Sequence, residues 1–173
     1  EMSASLVGSE MCIRDSCYLS FAEVDKEGNV NVHKFNGKIM GTGGFIDISA
    51  TSKKIVFCGT LTAGGLRTEV GDGKLTITQE GRVTKFVDHL PEITFSGKVA
   101  LERGLDVRYV TERAVFTLKE DGLHLVEVAP GVDIERDIVA KMGFKPVIDK
   151  DLKQMDACIF TDAVMGFKLP DAE

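Results

Sequence analysis

Tryptophan is absent, and the 173 residues hold only two tyrosines and three histidines. His33, His89 and His124 are far apart and show no metal-ligand spacing, so each is expected as a surface or structural residue. Four cysteines occur, Cys12, Cys17, Cys58 and Cys158, without a Cys-x-x-Cys pair. That argues against a zinc site or a dithiol redox centre. Reduced thiols are expected, with Cys58 in "KIVFCGT" pointing into the core as a small hydrophobe. No apolar run approaches the ~18 residues of a membrane-spanning helix, so no membrane partner is expected. Basic residues are in deficit, 21 Lys and Arg against 27 Asp and Glu, giving a net charge of −6. A phosphate backbone recruits a basic face, so nucleic acid is not an expected partner.

What is present is ordinary for a water-borne globular domain: 43% hydrophobic and 28% charged residues. A chain of this length makes one domain and buries about 68–70% of its unfolded surface. "YLSFAEVD" reads as a strand, residues 26–29 as a turn, and "VNVHKF" as extended. The run "KIVFCGT" has the continuous apolar character of a strand buried on both faces. "LRTEVGDGKLTITQEG" reads as a β-hairpin turning at Gly71-Asp72-Gly73. "VTKFV" and "EITFSG" add short extended pieces, and "KVALERG" one or two helical turns ended by Gly104. "VRYVT", "AVFTL" and "GLHLVEVA" supply further strands. "PGVDIERDIVAKMGF" is expected to be the clearest helix, with Asp133 as N-cap, Ile134, Ile138 and Met142 on one face, and Gly143 as a left-handed stop. The tail from Asp149 is polar and mixed. Without repeats or linkers, these elements describe one α/β unit rich in strands.

Before this regular text stands "LVGSEMCIRDS". It has neither a helical nor a strand period, and it lacks the basic and apolar regions of a signal peptide. The string resembles the conceptual translation of a sequencing-library adaptor. Residues 1–16 are therefore expected to be a non-native tail, with the domain spanning 17–173.

One stretch suggests chemistry. In "MGTGGFID", Gly41, Gly43 and Gly44 form a loop ahead of a short helix expected over residues 45–52. Backbone N–H groups in such a loop can approach an anion or a developing oxyanion. The spacing is not Gly-x-Gly-x-x-Gly, and no Lys-Ser/Thr ending follows, so neither a dinucleotide site nor a P-loop is indicated. By itself the pattern more often describes a tight connection.

From Tyr18 onward the chain resembles the C-terminal part of family I coenzyme A transferases, of the propionate CoA-transferase (acyl-CoA:acetate/3-ketoacid) type. The resemblance is carried by "AEVDKEGNVNVHKF", "GTGGFIDIS", "KIVFCGTLTAGGL", "VTERAVFTL" and "GLHLVEVAPGVDIERDI". It implies a three-layer α/β fold, here with an added hairpin. It implies that coenzyme A moves between a short-chain acyl-CoA (propionyl-, acetyl- or acetoacetyl-CoA) and a carboxylic acid. The route it implies is a mixed anhydride and then a glutamyl-CoA thioester. Coenzyme A is then a substrate and covalent intermediate; no resident cofactor and no metal are expected. The resemblance also implies a cytoplasmic homo-oligomer.

By the same resemblance, Gly44 matches the glycine whose N–H faces the oxyanion or CoA, with Gly41, Gly43 and Phe45 shaping the pocket. A side chain at Gly44 is expected to block close approach, and φ there to be positive. Lys53 and Lys54 could assist CoA phosphates, but are expected first as solvated residues at a helix end. The family's nucleophilic glutamate lies upstream of the matching segment. Neither Glu10 nor Glu23 fits its motif, and Glu112 is expected in a surface or ion-pair role. A lone chain of this sequence is thus expected to be inactive. Two other readings stand beside this one: a non-catalytic α/β binding or assembly module, and a sugar-phosphate isomerase relative.

Overall fold

The computed structural model describes residues 16–35, 37–162 and 164–165. The proposed tail up to residue 15 lies outside the described residues, while Ser16 already pairs with Lys54. Six strands form the central sheet: β1 Ser16–Ser20, β6 Lys54–Cys58, β12 Asp106–Val110, β13 Ala114–Lys119, β14 Gly122–Val128 and β15 Val147–Gln154. They lie in the order β1-β6-β12-β13-β14-β15. The β1, β6 and β12 strands are mutually parallel, β13 and β14 run antiparallel as a hairpin, and β15 is parallel to β14.

The parallel half carries the core. Ile55, Val56 and Phe57 of β6 are all buried, as the apolar run requires. Cys58 is exposed, contrary to expectation. It shares the face of Val56, opposite Phe57, and ends the strand where the sheet opens to solvent. Phe57 stacks on Tyr109 at 5.3 Å and meets Phe95 edge-on at 5.1 Å. Such contacts contribute about 0.5–1.5 kcal/mol each beyond area burial. The Tyr109 hydroxyl donates to the Gly28 carbonyl at 2.5 Å, tying the sheet to the turn at residues 26–29. Asp25 builds that turn, accepting from the Glu27 and Asn29 amides at 3.0 Å.

The expected strand "YLSFAEVD" is two strands. After β1 the chain breaks at Phe21, whose ring turns inward against Phe86. It resumes as β2 Glu23–Asp25, between β3 Val30–Asn31 and β11 Phe86–Val87. Two smaller ladders pair β4 Lys34–Phe35 with β5 Lys38–Ile39, and β7 Thr62–Ala63 with β10 Val83–Thr84. The hairpin forms from β8 Arg67–Gly71 and β9 Lys74–Gln79, with Asp72 and Gly73 at φ 52° and 70°. Both short helices are where they were expected: α1 Phe45–Thr51 and α2 Gly97–Glu102.

Two C-terminal expectations fail. The helix expected in "DIERDIVAKMGF" is a π-helical turn, Ile134–Ile138, followed by a 3₁₀ turn, Val139–Lys141. Asp133 does cap it, accepting from the Arg136 amide. Tertiary bonds override the helical period. Asp137 turns inward to accept from the Asp133 amide, and its carbonyl is taken by Arg113 at 2.9 Å. Gly143 is not in the left-handed region. It is needed for approach instead: its N–H donates to the Phe86 carbonyl at 2.7 Å, and a Cβ would lie 2.9 Å from the Asp88 nitrogen. The start of the polar tail, residues 149–154, belongs to β15. Its register jumps from Leu125↔Ile148 to Glu127↔Lys153. Asp149 lies in that irregularity and pairs with Lys119 at 2.5 Å. Among the described residues, no helix is long and apolar enough to cross a membrane.

Candidate functional site

The carboxyl ends of parallel strands are where open α/β sheets leave a crevice for ligands. The glycine loop lies toward that edge. From Phe45, α1 runs back to the start of β6, and the Phe45 ring stacks on Phe57, near the end of β6, at 5.8 Å. Residues 41, 43 and 44 are exposed, whereas Phe45 is buried as the loop's anchor. The Phe45 amide donates to the Thr42 carbonyl at 3.1 Å. The amides of Gly43 and Gly44 make no hydrogen bond among the described residues. Ile39, Met40 and Ile46 are exposed around the loop, so its surroundings are apolar.

One expectation about Gly44 is corrected. Its φ is −82°, and the positive φ values belong to Gly41 (80°) and Gly43 (52°). A Cβ on Gly44 would meet only Ile48 Cδ1, at an ordinary 3.5 Å. The fold of this chain therefore sets no demand for glycine at position 44.

At the same edge, behind the strand ends, a buried cation holds four segments together. The Arg113 side chain is 0% exposed. Its guanidinium donates to both Glu80 oxygens (2.9 and 3.1 Å), to Glu112 (2.6 Å) and to the Asp137 carbonyl (2.9 Å). Glu112 also accepts from the Leu61 amide, and Glu80 from the Thr62 hydroxyl. Burial pushes the Glu80 carboxyl up, but the bonds from Arg113 and Thr62 and the Arg113 charge outweigh it and bring its pKa down to about 2. Burial likewise opposes charge on Arg113, yet its bonds to Glu80 and Glu112 hold its pKa above the ordinary value. Glu112 is thus in the ion-pair role expected of it. Glu23 accepts from Asn31 at 2.9 Å.

The remaining candidates scatter. Lys54 pairs with Asp106 at 3.3 Å, and Lys53 is exposed after the far end of α1. His124 is buried between Asp121 (2.6 Å) and Asp149 (3.5 Å). His33 bonds Thr94, and His89 is exposed. A cleft of about 590 Å³ lies at the opposite end, around the β13–β14 turn, and no glycine-loop residue lines it. Its lysines are already paired: Lys26 with Asp88, Lys98 with Glu102, Lys119 with Asp149 and Lys145 with Glu135. The chemistry is better placed at the carboxyl edge. Sequence reasoning passed over Arg113 and Lys85, which the fold brings to that edge. A basic residue inside the β-rich "VTERAVF" was the available signal for Arg113.

The chain is a homologue of coenzyme A transferases. It is 77% identical over 158 residues to acetate CoA-transferase YdiF of Escherichia coli strain K12, covering 91% of this chain and 30% of that protein. It is 41% identical over 163 residues to caffeate CoA-transferase of Acetobacterium woodii, covering 88% and 31% respectively. A crystal structure of acyl-CoA transferase YdiF from E. coli O157:H7, a thioester complex with CoA, superposes with a TM-score of 0.88 at 76% identity, over 91% of this chain and 31% of that one. The chain thus spans about three-tenths of the length of these relatives. No family model matches it.

Proposed function

We propose that this chain is a segment of a CoA-transferase that moves coenzyme A between a short-chain acyl-CoA and a carboxylic acid. The observation that carries the proposal is the 77% identity to an acetate CoA-transferase across 91% of the chain. Donors of the propionyl, acetyl or acetoacetyl type and a glutamyl-CoA thioester complete the proposal. The thioester draws support from the CoA thioester complex of the 76% identical YdiF. A carboxylate nucleophile suits the exchange because the anhydride retains the free energy of the thioester, and no ATP is needed. A cytoplasmic location and a homo-oligomer belong to the same proposal.

The glycine loop supplies the electrostatic part. Amides of Gly43 and Gly44 without internal partners, beside exposed apolar side chains, suit a wall that meets the acyl carbonyl. Gly41 and Gly43 hold the positive φ values that turn the loop, and Phe45 pins it to the sheet. No nucleophile is assigned to this chain. Glu112 is committed to Arg113 and the Leu61 amide, and Glu23 to Asn31.

The test is isotope exchange. The longer enzyme carrying this segment, given propionyl-CoA and labelled acetate without ATP, should form labelled acetyl-CoA, whereas the 173-residue chain alone should not. Absence of label with propionyl-, acetyl- and acetoacetyl-CoA donors alike would overturn the proposal.

A further inference from the structure

Lys85 is a largely buried residue whose ammonium has no acceptor among the described residues. The residue is 9% exposed, and its ammonium makes no hydrogen bond or ion pair with any described residue. It lies 4.0 Å above the Phe21 ring, a cation–π contact. A Cβ on Gly59 would fall 2.9 Å from its Nζ and 2.8 Å from Phe21, so the glycine is what leaves room for the ammonium. Glu112 is the acid whose charge acts on it, and Arg113 already holds that carboxylate.

The position is as telling as the missing partner. Phe21 directly follows β1, Gly59 directly follows β6, and Glu112 follows β12 with Thr111 between. The Lys85 ammonium therefore sits among the carboxyl ends of all three parallel strands. Among the described residues His124 Nδ1 is the one fully enclosed side-chain polar atom without a hydrogen-bond partner, so the Lys85 ammonium, on a buried stem, keeps contact with solvent, the side from which an anion can reach it. Burial also pushes this ammonium toward its neutral form. An anion arriving from outside the described fold would complete the arrangement.

We infer that Lys85 is a substrate-binding residue whose ammonium receives the carboxylate of the short-chain acid, with the Phe21 ring as its apolar wall. The charges of Lys85, Arg113, Glu80 and Glu112 cancel, which suits a monoanion better than a phosphate dianion. The carboxylate class rests on the proposed CoA transfer; the existence of an anion site rests on geometry alone.

The test is nitrogen-15 NMR of lysine side chains in this chain, titrated with sodium propionate and, separately, with sodium chloride at equal ionic strength. Lys85→Met assigns the resonance. The Lys85 Nζ signal should shift saturably with propionate and not with chloride, and Lys85→Met should melt at a higher temperature than the parent. An equal response to chloride would reduce the site to non-specific screening, and no response would remove it; either result overturns the inference. So would a lower melting temperature of Lys85→Met, which would make the lysine a structural cation. Isotope exchange without a Lys85 response would remove this residue and leave the transferase proposal standing. A propionate-specific response without exchange would keep the carboxylate site and remove the transferase.

Discussion

Two cations are buried within one small region, and they are treated in opposite ways. Arg113 is 0% exposed and donates four hydrogen bonds to Glu80, Glu112 and Asp137. Lys85 is 9% exposed and donates none to the described residues. Glu112 faces both and is spent on the first. The Arg113 cluster ties the loops after β6, β9 and β12 to the π-helical turn, and so fixes the carboxyl edge. The Lys85 nook adds nothing of that kind. The Arg113 cation is spent inside the fold on charge-assisted hydrogen bonds, whereas the Lys85 ammonium, with no acceptor among the described residues, remains available to an anion.

The largest effect that sharpens this contrast should come from Arg113→Met. It strands two carboxylates behind the strand ends, and urea denaturation should show a loss of ~3–5 kcal/mol. A loss below ~1 kcal/mol would mean that the cluster is ornamental and the contrast empty.

Acid provides the next effect. The folded pKa of Glu80 is about 2, against 4.5 without the fold. A depressed carboxylate contributes stability that is fully present above the unfolded value and lost as pH falls through the folded one. The Arg113 cluster should therefore weaken between about pH 4.5 and 2, by up to ~3 kcal/mol. Asp149, also near 2 through Lys119, contributes to the same window. The discriminating comparison is thus parent against Glu80→Gln. The variant should show a shallower acid loss, and identical profiles would remove Glu80 from the account.

The smallest structural effect belongs to Gly44→Val. With φ at −82° and only Ile48 Cδ1 near its missing Cβ, the change should alter stability by less than ~1 kcal/mol. In the longer enzyme it should nonetheless slow thioester formation roughly 100-fold, the scale of a displaced oxyanion donor. A parent-like rate would take the loop out of the site, and a large stability loss would make it a mere turn.

The sequence was most legible where local chemistry and tertiary demand agree. The β8–β9 hairpin, the buried run of β6 and the Asp133 cap follow from turn residues, apolar continuity and a short acceptor side chain. It was least legible where distant groups compete for the same backbone. Arg113 takes the Asp137 carbonyl and converts an apparent helix into a π turn. Strand β15 is built on main-chain pairing and an Asp149 bulge, so its side chains carry no period. The glycine loop was visible as a motif, but the positive φ expected at Gly44 belongs to Gly41 and Gly43 instead. Lys85 was invisible because nothing in "VTKFV" tells a buried lysine from a solvated one; only folding brings Phe21 and Gly59 to it.

The central claim is that one buried cation holds the fold and the other is kept open for a ligand. The most direct measurement is the urea midpoint of Arg113→Met and Lys85→Met beside the parent, with two-state slopes unchanged. The account predicts opposite signs: a large fall for Arg113→Met and a midpoint above the parent for Lys85→Met. A fall of similar size in both variants would contradict it.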